Sequence, residues 1–229
     1  MYKIAVISDI HGEYDLFLKL LNSIKFSSND KMIICGDIID KGPFSIKLLK
    51  HIRAHSNMCF IMGNHEYDFL KFYNSIMQKL EDNFNVNEVL EKINSYFDDE
   101  ETLTWDDLEW LEKQQYYYEE EDFICVHAGA RLNNNNELIS LEENDINWLV
   151  YDRSFKDPNL VINNSKCVFY GHTPTSYLIN KPEIITYPKN NNPSSIKDYY
   201  KIHLDLGVWL HGVLGCFCVE TCKSYYVEK

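Results

Sequence analysis

The sequence lacks the features that would place it in a membrane, on a nucleic acid or in an oxidised framework. No apolar run approaches the roughly 18 residues that a bilayer-spanning helix needs. The stretch from Met1 to Asp15 has too short an apolar core and no small-residue cleavage site, so it reads as a buried strand rather than a signal peptide. The expected location is the cytoplasm, with no membrane partner. Positive charge is in deficit: the net charge is −13. A nucleic-acid binder shows a basic face, so no nucleic-acid partner is expected. The seven cysteines are odd in number, and Cys35, Cys59, Cys125 and Cys167 sit in or beside apolar, strand-like runs. Such cysteines behave as small buried hydrophobes, and nothing points to disulfides. Cys216, Cys218 and Cys222 are spaced wrongly for a zinc knuckle and read as strand cysteines. There is no internal repeat.

What is present is an ordinary globular balance, with 45% hydrophobic and 25% charged residues in 229. That suits a single domain over 1–229 with a sizeable core. Residues 2–8, 31–35 and 57–62 read as buried strands. Between them, 14–24 carries Phe17, Leu20, Leu21 and Ile24 on one helical face, and 44–54 carries Phe44, Leu48, Leu49 and Ile52, with Pro43 at its start. This alternation predicts parallel strands covered by helices. Further strands are expected at 122–126 and 167–170. Short pieces near 183–187, 200–206, 212–220 and 223–227 suggest an antiparallel meander. Asn-rich tracts at 133–136 and 190–192 read as surface loops.

Between the two halves, about 67–115 reads as a helical insertion forming a rim or cap. Phe69, Leu70, Tyr73, Ile76, Met77 and Leu80 share one face; Val86, Val89, Leu90, Ile93, Tyr96 and Phe97 share another; Thr104 and Asp107 form a capping pair. Residues 81–122 hold sixteen Asp or Glu and two Lys, a charge of −14. A solvated helical face is the plain reading, and such a surface would also tolerate basic partners.

Five polar segments follow five apolar strands: Ser8–Gly12 (SDIHG), Gly36–Gly42 (GDIIDKG), Gly63–Glu66 (GNHE), His127–Gly129 (HAG) and Gly171–Pro174 (GHTP). In open α/β sheets ligands bind beyond the carboxyl ends of the strands. One Asp or His after a strand is usually a turn residue or a cap. Five segments built from carboxylates, imidazoles and an amide are hard to assign to turns. Donors of this kind without thiolate suit manganese, iron, zinc or nickel better than calcium. Asp9 and His11, two residues apart, can reach one ion. Two ions about 3.5–4 Å apart could share a carboxylate and a water, whose pKa they would lower toward neutrality.

In this order the motifs Asp-x-His, Gly-Asp-x-x-Asp-Lys-Gly, Gly-Asn-His-Glu, His-Ala-Gly and Gly-His-Thr-Pro resemble the calcineurin-like metallophosphoesterases. They are most similar to the branch of serine/threonine phosphoprotein phosphatases and symmetrical diadenosine tetraphosphatases. The resemblance runs from Tyr2 to about Val219, where HLDLGVWLHGVLGCFCVE resembles the closing strands of that branch. It implies an α/β fold: a β-sandwich of mixed sheets flanked by helices, with the insertion and the Asn-rich loops outside the match.

Position by position, the resemblance implies that Asp9 and His11 bind a first metal, Asp37 bridges, and Asn64, His127 and His172 complete a second site, with manganese the first choice. His65 would be the general acid and Asp40 its carboxylate partner. Lys41 stands where the phosphatases usually have Arg, giving a point charge in place of a bidentate fork. Arg153, in NWLVYDRS, matches a second phosphate-clamping position. His51, His55, His203 and His211 fall outside the motifs.

Three functions follow from this reading. The first is a phosphomonoesterase acting on phosphoserine or phosphothreonine proteins, favoured because Asp40 supports the protonation of a poor leaving group. The alternative is a symmetrical dinucleoside tetraphosphate hydrolase, toward which Lys41 leans. The third, a catalytically silent binding protein, conflicts with retention of all six ligands and His65. Nucleases and cyclic phosphodiesterases of this type carry Gly-His-x-His, where this chain has Gly-His-Thr-Pro. The sequence leaves the oligomeric state open, a monomer included.

Overall fold

The structure, a computed structural model, describes residues 3–78 and 86–229, with Val86 described by its backbone alone. The expected strand start at Tyr2, Leu80 on its helical face and the Val86 side chain lie outside the described residues.

The first half alternates as its periodicity dictates: β1 (Ile4–Ile7), α1 (Tyr14–Ser23), β2 (Lys31–Cys35), α2 (Ser45–Arg53) and β3 (Met58–Ile61). Strands β1, β2 and β3 pair in parallel. The basic residues Lys50, His51 and Arg53 in the last turn of α2 complement the negative end of the helix dipole. Three helices follow, α3 (Asn64–Met77), α4 (Val86–Asn94) and α5 (Trp105–Glu112), the last closed by the expected Thr104–Asp107 capping box. Helix α3 begins three residues earlier than its apolar face suggests. Gly63 is extended at the N-cap, and the Glu66 side chain returns to the Gly63 N–H at 3.0 Å. The insertion is packed rather than detached: Phe69, Tyr73, Ile76, Val89, Ile93 and Leu108 join the apolar cluster beneath β1–β3.

The second half comprises β4 (Tyr117–Glu119), β5 (Phe123–Val126), α6 (Ile146–Tyr151), β6 (Cys167–Tyr170), α7 (Ser176–Ile179), β7 (Ile185–Pro188), β8 (Tyr199–His203), α8 (Val208–His211), β9 (Val213–Cys218) and β10 (Lys223–Glu228). Among the described residues the strands form two mixed sheets, ordered β10-β9-β1-β2-β3 and β4-β5-β6-β8-β7.

The antiparallel meander expected for the last four strands is not what forms. Strand β8 pairs in parallel with β6, while β9 crosses to the first sheet and lies antiparallel between β1 and β10. Only the β7–β8 and β9–β10 neighbours are antiparallel as expected. The chain is split between two sheets because each needs a partner for its inner face.

Strict period-two alternation builds that sandwich. Val6, Ile33 and Cys35 point into the space between the sheets and meet Phe123, Cys125, Cys167 and Phe169 from the other side. Their neighbours Ala5, Ile7, Met32 and Ile34 face the helices of the first half. Ile124, Val126, Val168 and Tyr170 face the layer formed by Leu149, Val150, Phe155 and Ile162. Cys216 and Cys218 are buried strand residues, and all seven cysteines are free thiols. No helix among the described residues is long and apolar enough to cross a membrane.

Candidate metal centre

Because β1–β3 are parallel in one sheet and β5, β6 and β8 in the other, their carboxyl ends deliver the polar segments to one edge of the sandwich. The two sheets are tied there. His127 Nδ1 lies 2.8 Å from the Cys35 carbonyl across the sandwich. The His172 N–H donates to Asp9 Oδ2 at 3.0 Å, joining the β6 segment to the β1 segment.

The backbone at this edge is bent against its preference. Asp9, His11, Asp37, Asp40, Lys41 and His172 all have left-handed φ, from 47 to 70°. Non-glycine residues avoid this region, and clusters of them mark functional sites held by surrounding structure. Two glycines are required by close approach rather than by φ. A Cβ on Gly63 would overlap the Asp37 carboxylate, and one on Gly171 would overlap the Asp9 carboxylate.

Two groups of donors converge. His11, Asp37 and His65 form one, and Asp37, His127 and His172 form the other, so Asp37 is common to both. His127 Nε2 lies 3.0 Å from Asn64 Oδ1, 3.2 Å from His172 Nδ1 and 3.5 Å from Asp37 Oδ1. His172 Nδ1 is 2.9 Å from Asn64 Oδ1. On the other side, His11 Nε2 stands 3.8 Å from Asp37 Oδ2 and 4.0 Å from Asp9 Oδ1. The structure thus brings all six residues singled out as ligands to one place.

The imidazole tautomers follow from their outer contacts. The Nδ1–H of His11 donates to the Ile39 carbonyl at 2.9 Å, and that of His127 to Cys35, leaving an Nε2 lone pair on each aimed inward. Lone pairs, an amide oxygen and carboxylates therefore face one another with few protons between them. Such a set is costly unless cations occupy it, and its chemistry fits divalent ions. The titration behaviour agrees: burial, then the charges of Asp9 and Glu66, hold the Asp37 carboxyl well above the usual range. Burial, then His127 and Arg153, push His172 down to about 2.

His65 is set apart. Its Nδ1 hydrogen-bonds Asp40 Oδ2 at 2.6 Å, while its Nε2 points at Asp37 Oδ2, 3.8 Å away. Burial alone would depress its pKa. The Asp40 hydrogen bond and the Asp37 charge outweigh burial and raise it. A ring inclined to hold two protons is a better proton donor than a metal ligand, although it lies within reach of the first group. Asn64 and His65 both sit in the first turn of α3, which fixes their spacing.

Lys41 is exposed, and its Nζ lies 3.0 Å from His11 Nε2, on the open side of the site. Arg153 reaches Thr173 Oγ1 at 2.7 Å, beside His172. His51, His55, His203 and His211 belong to neither donor group; His203 is buried and stacked on Tyr170, with ring centroids 4.4 Å apart.

The sequence reading passed over several residues. Glu66, fully buried, accepts from the N–H groups of Asp37, Ile38, Ile39 and Gly63 at 2.8–3.1 Å. Asp205, after β8, is buried close to Asp9 and accepts from Gly207 N at 2.8 Å; burial and then Asp9 hold its carboxyl high. Both could have been found, Glu66 as the third residue after a glycine N-cap and Asp205 as the carboxylate of a sixth segment that follows an apolar strand. The Tyr96 hydroxyl donates to Asp40 Oδ2 at 3.3 Å, linking the insertion to the His65 pair.

The sequence profile described as calcineurin-like phosphoesterase matches residues 2–207. The chain belongs to that family. Among curated calcineurin-like relatives, a symmetrical bis(5'-nucleosyl)-tetraphosphatase of Wigglesworthia glossinidia brevipalpis is 34% identical over 128 residues, 54% of this chain and 43% of the relative. One of Nitrosomonas europaea is 33% identical over 126 residues, again 54% and 43%. The chain thus covers less than half the length of these relatives. Among solved structures, one provisionally assigned as a diadenosine tetraphosphatase has a TM-score of 0.71 at 14% identity, covering 99% of this chain and 93% of that one. A protein serine/threonine phosphatase of Saccharomyces cerevisiae has a TM-score of 0.55 at 13% identity, covering 100% and 80%. At these identities the likeness is one of fold.

Proposed function

We propose that this chain is a two-metal phosphoester hydrolase. The observation that carries the reading is the convergence of His11, Asn64, His127 and His172 on Asp37, with lone pairs turned inward by outer hydrogen bonds. Asp9 and His11 would hold one ion, Asn64, His127 and His172 the other, and Asp37 both. Manganese is the first choice, and iron, zinc or nickel suit the same donors. Bound ions would lower the pKa of water and offset phosphate charge.

The chain's own residues supply the rest. Asp40 holds the His65 ring, orients its Nε2 toward Asp37 and keeps a proton on it for a departing oxygen. An ion on His11 and the Lys41 ammonium compete for one Nε2 lone pair. Metal loading would therefore release Lys41 to meet a phosphate oxygen. Arg153, held by Thr173 next to His172, would bring a second positive charge to the phosphate beside the other donor group. Its planar fork suits bidentate phosphate contact.

For the substrate, the curated relatives support symmetrical dinucleoside tetraphosphates over the phosphomonoesters that the sequence puts first. The phosphoserine/phosphothreonine reading keeps one specific support, the 2.6 Å Asp40–His65 bond, since an alkoxide needs a firmly supported acid. Metal-reconstituted enzyme assayed on diadenosine tetraphosphate, a phosphopeptide, p-nitrophenyl phosphate and its bis-ester decides between them. Diadenosine tetraphosphate should be the best substrate, giving two ADP. Ions bound in both sites with no turnover of any of the four would overturn the hydrolase assignment.

A further inference from the structure

Large apolar side chains are exposed unevenly. Of nine such residues among those described, Tyr177, Leu178, Ile179, Trp209 and Leu210 belong to the one-turn helices α7 and α8. These helices follow β6 and β8 and so stand at the metal edge. Helix α8 is bracketed by Gly207 and Gly212, both with φ of 64°, and a Cβ on Gly207 would lie 3.1 Å from Pro174 of the Gly-His-Thr-Pro segment. The short turn thus projects Trp209 outward from the segment that also carries Asp205. Trp209 is 42% exposed.

What separates Trp209 from an ordinary exposed aromatic is its neighbour. Lys41 Nζ lies 5.0 Å from the centre of the Trp209 ring and 3.0 Å from His11 Nε2. One ammonium therefore links a metal-ligand candidate to a partly exposed indole. A phosphate held by Lys41 would sit beside that indole, with the rest of its carrier free to lie on the ring.

We propose that Trp209 is a stacking platform for the base of a nucleotide substrate whose phosphate is held at Lys41. The proposal rests on the dinucleoside tetraphosphate reading and deepens it. Every base presents a π-face, so an indole binds bases with little sequence preference. Tyr177 is the more exposed aromatic of the two helices, at 64%, but among the described residues Trp209 is the one with an ammonium of the site over its ring. Adenosine would then be recognised through the π-face of its ring.

Two measurements on metal-loaded enzyme test this. In the first, ADP or inorganic pyrophosphate is titrated against intrinsic fluorescence in wild type, Trp209→Phe and Trp209→Ala. ADP should quench wild type well beyond pyrophosphate, and the difference should vanish in Trp209→Phe. In the second, Trp209→Ala should raise KM for diadenosine tetraphosphate on the order of tenfold, the size of one base–aromatic stack, with a smaller change in kcat. Trp209→Phe should recover part of that loss. The kcat/KM ratio of diadenosine tetraphosphate to inorganic tripolyphosphate should fall in the alanine variant. An ADP-specific quench that persists in Trp209→Phe, or an unaltered ratio in Trp209→Ala, overturns the platform while leaving the substrate reading intact. An ADP-specific quench lost with Trp209, in an enzyme that leaves diadenosine tetraphosphate uncleaved, removes the substrate reading and keeps the platform.

Discussion

Glu66 grips the loop that carries Asp37. Its Oε2 accepts from the Asp37 N–H at 3.0 Å and its Oε1 from the next two N–H groups at 2.8 and 3.1 Å. The left-handed turn at Asp37 is thereby held by a carboxylate three residues into α3. Glu66→Ala should leave four buried N–H groups without their acceptor and destabilise the fold by on the order of 3 kcal/mol or more. Glu66→Gln should cost less, because the amide oxygen can still accept. Denaturant unfolding of both variants checks this, and equal stability of Glu66→Ala and wild type would refute it.

Asp37→Asn tests the shared ligand. Since Asp37 is common to both donor groups, this variant should lose metal from both positions together with activity. Metal content measured beside turnover would refute the shared role if both ions stayed and the rate held.

The Asp40–His65 pair predicts a dependence on leaving group. His65→Asn should slow hydrolysis of alkyl phosphates far more than of activated aryl phosphates, which leave without help. Asp40→Asn should act in the same direction with a smaller loss, because the ring keeps its place in the first turn of α3. An equal loss on both substrate types would leave His65 as an orienting or phosphate-binding group.

Lys41→Ala should weaken substrate binding more than turnover, seen as a raised KM. Lys41→Arg should preserve or improve activity, as the guanidinium can meet two phosphate oxygens where the ammonium meets one. A kinetically silent Lys41→Ala would remove Lys41 from phosphate binding.

His203 sets an acid limit on stability. Burial lowers its pKa from 6.5 to about 3, and neither ring nitrogen makes a hydrogen bond of normal geometry. The folded state refuses a proton that the unfolded chain accepts, so stability falls as pH drops from about 6.5 toward 3. Replacing His203 with phenylalanine, which keeps the stack on Tyr170, should flatten that acid limb in pH-dependent thermal unfolding. An unchanged limb would assign the acid sensitivity to other groups.

Much of this protein is legible along the chain. Continuous apolar runs such as Ile4–Ile7 and Lys31–Cys35 disclose their strands, because a short run apolar on both faces fits a strand buried between two layers; which of its residues face the helices is decided by the packing. The polar residues that terminate those runs disclose the ligand chemistry, because parallel strands must end on a common edge. Pairing over long distances is not local. That β9 would leave its neighbours and insert between β1 and β10 depends on which inner face needs covering. Glu66 reads as a helix cap until the fold sets it under Asp37, and Trp209 reads as one aromatic among many until the fold brings Lys41 above its ring. Composition and spacing state what a side chain can do. Only the packing of segments far apart in sequence states which atoms it meets.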